Sequence, residues 1–325
     1  MREVTFVQAI NEALREEMRK NPDIILMGQD VGVAGGVRGV TKGLYEEFGE
    51  ERVRDTPISE ATTAGVGVGL AITGMRPVVE IMYSDFLGIC MDEVMNKMAK
   101  WRYMHGSTMS VPMVLRTSCG GGFGGAAEHS QSLEALFMHI PGLRVAYPAT
   151  PYDAKGLLKT LLREDNPSLF FEHRLLYRTK GMIPEEEYYL PLDKAEIIKE
   201  GTDVTLVAIG FQVGNALNAA QKLQEQGIKA EVIDLRMVAP LDKRTILTSV
   251  EKTGRLVVVE EGVKTGGVGA EIGAIVAEEG LFLLRAPVKR VASLDLPIPY
   301  SPPMEKYVLP NSEKIIAAVK AVMLD

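Results

Sequence analysis

The chain is organised around the stretch RDTPISEATTAGVGVGLAITG, which covers residues 54–74. Ser59 is a candidate N-cap for a helix that begins at Glu60, because a carboxylate in the first turn of a helix meets unpaired amide hydrogens. Each interior glycine costs a helix about 1 kcal/mol relative to alanine, so Gly65 and Gly69, four residues apart, indicate the close approach of a second backbone. The stretch therefore predicts one carboxylate at the end of a helix that lies flush against a partner. The alternative from these residues alone is a first-turn acid on a helix that packs in a domain core.

Strands and helices are predicted to alternate on both sides of this stretch. In the first half the predicted strands are Ile24–Gly28, Val78–Met82, Pro112–Thr117, Leu143–Pro148 and Ser168–Glu172, and the predicted helices are Thr5–Lys20, Asp85–Trp101, His129–Met138 and Pro151–Arg163. In the second half the predicted strands are Val204–Ile209, Ala230–Leu235, Leu256–Glu260 and Val288–Val291, and the predicted helices are Val213–Gln226, Lys243–Lys252, Val268–Glu279 and Ser312–Leu324. Strands separated by helices at this spacing form βαβ units with a mainly parallel sheet covered on both faces. The predicted fold class is therefore α/β, with two doubly wound domains.

A break between the two series lies at Arg178–Leu192, where a glycine, two prolines and an acidic triplet replace the apolar periodicity. Such a composition is typical of a linker between domains. We therefore predict a first domain at residues 1–180, a linker at residues 181–192 and a second domain at residues 193–325.

Composition limits the partners and the compartment. The formal net charge is −7 and no block of lysine and arginine occurs, which argues against a nucleic-acid partner or an anionic membrane surface. No apolar run reaches the length of a membrane span. Only two cysteines occur, as expected in a reducing compartment. We therefore expect a cytoplasmic protein.

A glycine-rich run at residues 120–125 precedes the strongest candidate for proton transfer. The run lacks the Gly-Lys-Ser/Thr ending of a P-loop, so a flexible loop is favoured over a phosphate cradle. His129 follows where this loop meets a predicted helix, and histidine exchanges a proton near neutral pH, although a merely hydrogen-bonded histidine fits the same pattern. Asp85 and Phe86 follow a predicted strand, where α/β sites form or where an aromatic side chain packs in the core. The sequence contains no Cys-x-x-Cys or HExxH metal motif.

Four motifs together resemble one family. They are DTPISE at residues 55–60, SDF at residues 84–86, HSQS at residues 129–132 and YDAKGL at residues 152–157. The family is the beta subunit of the thiamin-diphosphate-dependent first component of 2-oxo acid and acetoin dehydrogenase complexes, and the similarity covers essentially the whole chain. It implies a transketolase-like alpha2beta2 heterotetramer, in which this chain supplies a pyrimidine-binding domain followed by a transketolase C-terminal-type domain. The alpha subunit would supply the diphosphate and magnesium site, and the Gly-Asp-Gly…Asn magnesium motif of thiamin enzymes does not occur in this sequence.

The resemblance also implies roles for individual residues. Glu60 matches the glutamate that hydrogen-bonds the aminopyrimidine ring and favours its imino tautomer. His129 matches the histidine that serves proton transfer and acyl transfer to lipoamide. Ile58, Met82 and Phe86 match residues that line the pyrimidine pocket. A potassium site built largely from backbone carbonyls is implied at Met113, Leu161, Leu162, Glu164 and Asn166, with Glu164 where an aspartate is often found.

The implied activity is the cleavage or decarboxylation of pyruvate, another small 2-oxo acid or acetoin, with transfer of the acyl group to lipoamide on an acyltransferase core. Val37–Leu44 and the single histidine in AEHSQS resemble the acetoin or pyruvate branches more than the branched-chain one. Arg285 stands where family members commonly carry a carboxylate before Ala-Pro, which implies altered electrostatic docking of the acyltransferase. Alternatives from other classes are a non-catalytic assembly subunit and a redox partner chain of the electron-transfer flavoprotein type. Neither alternative explains Glu60 or His129.

Overall fold

The computed structural model describes residues 1–36 and 38–324 and divides the chain into two units. The first unit comprises Met1–Cys119 and Phe137–Leu192, and the second comprises Gly120–Leu136 and Asp193–Asp325. Residues 120–136 lie inside the predicted first domain but group with the second unit. The second boundary falls at the end of the predicted linker.

The first unit is a parallel sheet with helices and a small antiparallel ribbon. Its strands are β1 (Arg2–Thr5), β2 (Ile24–Gly28), β3 (Val53–Asp55), β4 (Arg76–Tyr83), β5 (Val114–Cys119), β6 (Arg144–Ala146), β7 (Ser168–His173) and β8 (Lys180–Ile183). The helices up to its end are α1 (Phe6–Lys20), α2 (Leu44–Phe48), α3 (Glu60–Ile72), α4 (Trp101–Met104), α5 (Glu134–Met138) and α6 (Pro151–Leu161), with α5 crossing the boundary between the units. The sheet runs in the order β6-β7-β5-β4-β2-β3 with parallel pairing, and β1 pairs antiparallel with β8.

The order of these strands creates a switch point between β2 and β4. The chain first adds β3 on one side of β2 and then adds β4, β5 and β7 on the other side. In doubly wound sheets, ligands bind outside the carboxyl ends of the strands at such a point. The ends of β2 and β4 are therefore where a site is expected. Gly28 ends β2 there, and a Cβ on it would lie 2.8 Å from the carbonyl oxygen of Glu80.

The second unit contains a five-stranded mixed sheet. The strands of this sheet are β9 (Glu196–Lys199), β10 (Val204–Ala208), β11 (Ala230–Asp234), β13 (Leu256–Val263) and β14 (Lys289–Ser293), and the short strand β12 (Met237–Ala239) lies outside it. The helices of the unit are α7 (Gln212–Gln224), α8 (Lys243–Thr253), α9 (Val268–Glu279), α10 (Pro302–Val308) and α11 (Ser312–Leu324). The sheet order is β14-β13-β10-β11-β9, parallel except for β9. Every residue of β10 and β11 is buried, as expected for strands covered on both faces. The predicted α/β class is confirmed.

Two predicted helices are wrong in part. The predicted helix Asp85–Trp101 is instead a 3-10 turn at Ser84–Gly88 followed by a π-helix at Glu93–Met98. The backbone N–H of Ile89 donates to the carbonyl three residues earlier, whereas that of Ala99 donates to the carbonyl five residues earlier. In the predicted helix His129–Met138, only Glu134–Met138 is helical. The carbonyl of Gln131 accepts the N–H of Gly120, which lies outside any helix.

The opening stretch forms α3 with Glu60 as its first residue, as predicted. Ser59 occupies the N-cap position, as predicted, but its hydroxyl donates to Thr62 Oγ1 and no backbone N–H donates to its side chain. Gly67 faces the core: a Cβ there would lie 2.6 Å from Val79 Cγ2. A Cβ on Gly69 would meet no atom within 4 Å. The helix thus packs inward through one glycine and leaves another on its outer face.

Candidate functional site

Glu60 lies in the first unit at the switch point. It is the first residue of α3 and is only 6% exposed. Its Oε1 accepts a 3.4 Å hydrogen bond from Nε2 of Gln29, which directly follows β2. No other hydrogen bond to the Glu60 side chain occurs among the described residues. A buried carboxyl group with spare acceptor capacity can bind a nitrogen-containing ring.

Cys90 follows the turn after β4 that carries Phe86. Cys90 is buried, and its thiol contacts the carbonyl oxygens of Phe86 and Leu87 at 3.9 Å and 3.6 Å. Burial raises the pKa of the Cys90 thiol to about 12, and the charges of Glu93 and Glu60 raise it further. Cys90 is therefore an uncharged thiol that packs against the turn that carries Phe86. Glu60 acts on this thiol through its charge.

The other two predicted pocket residues have different surroundings. Ile58 is 82% exposed, so within this chain its side chain lines no pocket. Met82 is half-buried near the end of β4 and lines a cavity of about 20 Å³, which has room for a water molecule only. Val37, the first residue of Val37–Leu44, lies outside the described residues.

Behind this cavity, the carboxyl ends of β4, β5 and β7 are tied by a buried ion pair network. Arg116, 1% exposed, donates to both carboxyl oxygens of Glu172 at 2.7 Å and 3.0 Å, and to Glu80 at 2.8 Å. The hydroxyl of Tyr177 donates to the same Glu172 at 2.9 Å. Bidentate arginine–carboxylate pairs fix geometry as well as charge. The network therefore holds three strand ends in register beside the switch point.

His129 lies in the second unit and is half-buried. The glycine-rich loop before it is fixed by two carboxylates that the sequence did not single out. Glu261 accepts the N–H of Gly121 at 2.8 Å, and Glu305 accepts the N–H of Gly122 at 2.7 Å. These carboxylates accept hydrogen bonds from backbone N–H groups of the loop that leads to His129. They therefore fix the conformation of a loop that its glycine content predicts to be flexible.

The second unit also contains a cavity of about 500 Å³ beside this segment. Its lining combines polar groups with apolar side chains, and it includes Ser130, Ser132, Leu133, Glu261, Gly262 and Ile298. Polar groups converging in a largely apolar cleft are typical of a ligand pocket. Ser130, which directly follows His129 in sequence, lines this cavity.

The five residues predicted to hold potassium all belong to the first unit. The carbonyl of Met113 accepts the N–H of Ser168 at 2.9 Å, which joins the residue before β5 to the first residue of β7. Arg76 donates to the carbonyls of Leu162 at 3.0 Å and Glu164 at 2.6 Å. Arg102 donates to the side-chain oxygen of Asn166 at 2.7 Å. Each carbonyl keeps a second lone pair, yet Arg76 already places a positive charge at this loop.

Three further features bear on the predicted class of protein. Within residues 1–36 and 38–324, no helix is long and apolar enough to span a membrane. The same residues contain no cluster of three His, Cys, Asp or Glu side chains that could hold a metal ion. Cys90 and Cys119 are both buried, and neither forms a disulfide bond in the described part of the chain.

Gln29 is the residue near Glu60 that sequence reasoning missed. It contacts Glu60 from the end of β2, and the signal that could have identified it is its place just after a predicted strand. Glu261 and Glu305 left no such signal, because acids are normally expected on the surface.

Comparison with known proteins gives concordant matches over the whole chain. Residues 2–180 match the family described as transketolase, pyrimidine binding domain, and residues 193–315 match transketolase, C-terminal domain. The 2-oxoisovalerate dehydrogenase subunit beta of Bacillus subtilis (strain 168) is 47% identical over 98% of this chain and 98% of its own length. Acetoin:2,6-dichlorophenolindophenol oxidoreductase subunit beta of the same organism is 48% identical over 97% and 96%. The pyruvate dehydrogenase E1 component subunit beta of Staphylococcus epidermidis (strain ATCC 35984) is 44% identical over 99% of both chains.

A solved structure, titled split gene transketolase, inactive beta4 tetramer, superimposes with a TM-score of 0.83 over 99% of both chains. At 23% identity this similarity shows the fold alone. The predicted transketolase-type pair of α/β domains is confirmed.

Proposed function

This chain belongs to the family of beta subunits of 2-oxo acid and acetoin dehydrogenase complexes, and from this premise we propose that it acts with an alpha subunit to cleave a small 2-oxo acid or acetoin. The acyl group then passes to lipoamide on an acyltransferase core. Membership of this family, which matches over nearly the whole chain, removes the electron-transfer flavoprotein alternative. A non-catalytic assembly role is the remaining alternative.

The observation that carries the proposal is the buried carboxyl group of Glu60 at the switch point. It has one long hydrogen bond, from Gln29, and its charge acts on Cys90, whose thiol packs against the turn bearing Phe86. An aminopyrimidine ring requires a carboxyl partner at one ring nitrogen and apolar surfaces on its faces, and these residues fit that requirement. When bound, thiamin diphosphate supplies the carbon nucleophile that allows the bond next to a carbonyl group to break.

Each proposed residue then has a defined task. Glu60 holds a proton at the ring nitrogen and takes it back, as a general acid and base does. Phe86 and Met82 form apolar surface beside the ring, and Ile58 joins them in the assembled enzyme. His129 donates and accepts a proton at its imidazole during acyl transfer, because histidine changes its charge near neutral pH. Magnesium and the diphosphate are held by the alpha subunit.

Relatives named for three different substrates have similar identity to this chain. The relatives named for 2-oxoisovalerate, acetoin and pyruvate are 47%, 48% and 44% identical to this chain. Identity therefore does not support the sequence-based preference for the acetoin or pyruvate branches. Docking of the acyltransferase core is proposed for the second unit beside Arg285, which is exposed, as is the apolar Phe282 three residues before it. We place the protein in the cytoplasm, and its two buried cysteines, which form no disulfide bond in the described part of the chain, support this.

Reconstitution with an alpha subunit tests the function. We expect decarboxylation or cleavage of one of pyruvate, 2-oxoisovalerate and acetoin at a kcat/KM at least about tenfold above the other two, since small changes in a substrate are worth roughly 1–3 kcal/mol in an apolar pocket. The assay is release of product with thiamin diphosphate, magnesium and lipoamide present, and the chain without its alpha partner is the control. Absence of turnover with all three substrates would refute the proposal.

Potassium binding at Met113, Leu161, Leu162, Glu164 and Asn166 is proposed because the carbonyls of Leu162 and Glu164 both accept from the cationic Arg76 and so already lie beside a positive charge. A ligand that binds only the folded chain stabilises it by about 2.7 kcal/mol at a concentration 100 times its dissociation constant. We therefore expect a melting temperature a few degrees higher in potassium chloride than in choline chloride at equal ionic strength. Equal melting temperatures would refute potassium binding and leave arginine side chains, Arg76 and Arg102, as the cations at this loop.

A further inference from the structure

Beside the segment His129–Leu133, the second unit buries acidic and hydroxyl groups that lack hydrogen-bond partners. Both carboxyl oxygens of Glu134, Oε2 of Glu260, and the hydroxyls of Ser130 and Ser132 have no partner among the described residues. Glu134 and Glu260 are both 0% exposed. Burying such groups is costly, and the cost is much larger for a charged group than for a neutral one.

Gly262 in β13 locates these groups relative to one another. A Cβ built on it would lie 3.3 Å from the carbonyl oxygen of Ser132, 3.6 Å from Glu134 Oε1 and 4.0 Å from Glu260 Oε2. Both carboxyl groups and the His129–Leu133 segment therefore meet at one backbone position. Gly262 also lines the cavity of about 500 Å³.

The charges around Glu134 oppose its ionisation. Burial raises the pKa of Glu134 to about 8; its own backbone N–H opposes this rise, and Glu260 and Glu261 on β13 add to it. Burial likewise raises the pKa of Glu260 to about 7, against the N–H groups of Gly269 and Val268 and the charge of Arg290 on β14. No salt bridge to Glu134 occurs among the described residues. At neutral pH, Glu134 is therefore mainly an uncharged acid.

We propose that Glu134 is a positioning residue, whose uncharged form keeps the His129–Leu133 segment in place and whose ionisation displaces it. This inference rests on the proposed role of His129. Helix α5 begins at Glu134, immediately after the segment. An ionised Glu134 would be repelled by Glu260 and Glu261. Its carboxylate would then reach solvent through a movement of its own backbone. That movement carries the five residues before it, including His129.

The pH dependence has a defined sign. The folded chain binds the Glu134 proton more tightly than the unfolded chain, whose glutamate titrates near its ordinary pKa of 4.5. The contribution of Glu134 to the stability of the folded chain is therefore complete below about pH 4.5. Above that pH, the ratio of folded to unfolded protein falls by up to tenfold per pH unit, and the fall ends above about pH 8. The surroundings of His129 change over the upper end of this range.

The test compares the full-length chain with its Glu134→Gln variant, which keeps the size and the neutral state. Between pH 6 and pH 9, we expect a smaller fall in melting temperature in Glu134→Gln. We also expect a step near pH 8 in the imidazole signal of His129 in wild type and its loss in the variant. The chain has four histidines, so the signal is assigned with a His129→Gln variant. Glu278→Gln, which alters an exposed acid of α9, is the matched control and should behave like wild type.

A second variant keeps the inference falsifiable if Glu134→Gln fails to fold. Glu260→Gln removes a negative neighbour, so it should move the His129 step to lower pH. A step at the same pH in Glu260→Gln, or an unchanged step in Glu134→Gln, would overturn the inference.

Activity provides the readout that a purely structural role would not move. In the reconstituted enzyme, the alkaline limb of kcat/KM should shift upward by about one pH unit or more in Glu134→Gln, with activity at pH 7 within about threefold of wild type. An alkaline limb that stays in place would contradict the inference. If wild type turns over none of the three substrates, the proposed function fails, and the melting and imidazole data still decide the role of Glu134.

Discussion

Replacement of Glu60 by glutamine is expected to lower kcat/KM of the reconstituted enzyme about 10²- to 10⁴-fold, the range that a positioned general acid and base contributes. Glutamine keeps the size and one acceptor oxygen of glutamate but exchanges no proton near neutral pH. The side chain of Glu60 has a single 3.4 Å hydrogen bond, from Gln29. Its replacement should therefore change the melting temperature of the chain very little, and steady-state kinetics with melting curves measures both effects.

Glu46→Gln is the matched control for this substitution. Glu46 is also an acid in the first turn of a helix of the first unit, but it is exposed and lies in α2, away from the switch point. It should retain wild-type activity. Full activity of Glu60→Gln in an enzyme that still assembles would leave a non-catalytic assembly role as the better account of this chain. Loss of assembly in Glu60→Gln would assign the carboxyl group to the interface instead.

Much of the first unit follows from its sequence because local and tertiary preferences agree there. The start of α3 at Glu60 was predicted from an acid placed just before a helical pattern, and β2 was predicted with its exact ends at Ile24 and Gly28. Both depend on short-range signals: a strand of five buried apolar residues, and a helix start that places a carboxylate near free amide hydrogens. The site at the end of β2 then follows from strand order.

The buried acidic residues of the second unit are harder to predict from the sequence. Glu134, Glu260 and Glu261 are buried, whereas a glutamate in a sequence is by default assigned to the surface. Their burial depends on close packing around Gly262 and on residues 120–136, which group with the second unit. Both are features of the tertiary structure. The same cause explains the misassigned start of α5. The pattern from His129 is compatible with a helix, but the contact between Gly120 and Gln131 holds this segment in another conformation.

Gly69→Leu is expected to leave the chain folded and to weaken its association with a partner subunit. A Cβ at Gly69 meets nothing within 4 Å, and leucine gains about 1 kcal/mol over glycine in a helix, so the isolated chain should melt at the same or a slightly higher temperature. In the assembly, leucine would separate two closely packed backbones. Overpacking of this kind costs about 1–3 kcal/mol, which corresponds to roughly a 5- to 150-fold weaker dissociation constant, measured by sedimentation of the mixed subunits.

Gly67→Leu supplies the contrast within the same helix. Its Cβ would lie 2.6 Å from Val79 Cγ2 and 2.9 Å from Met113 Cε, so the cost falls on the fold of the first unit and should lower the melting temperature of the isolated chain. Gly65→Leu should resemble Gly69→Leu, because its Cβ makes only an ordinary 3.5 Å contact with Glu93. Unchanged association of both outer-face variants would show that α3 carries its glycines for packing inside the chain alone.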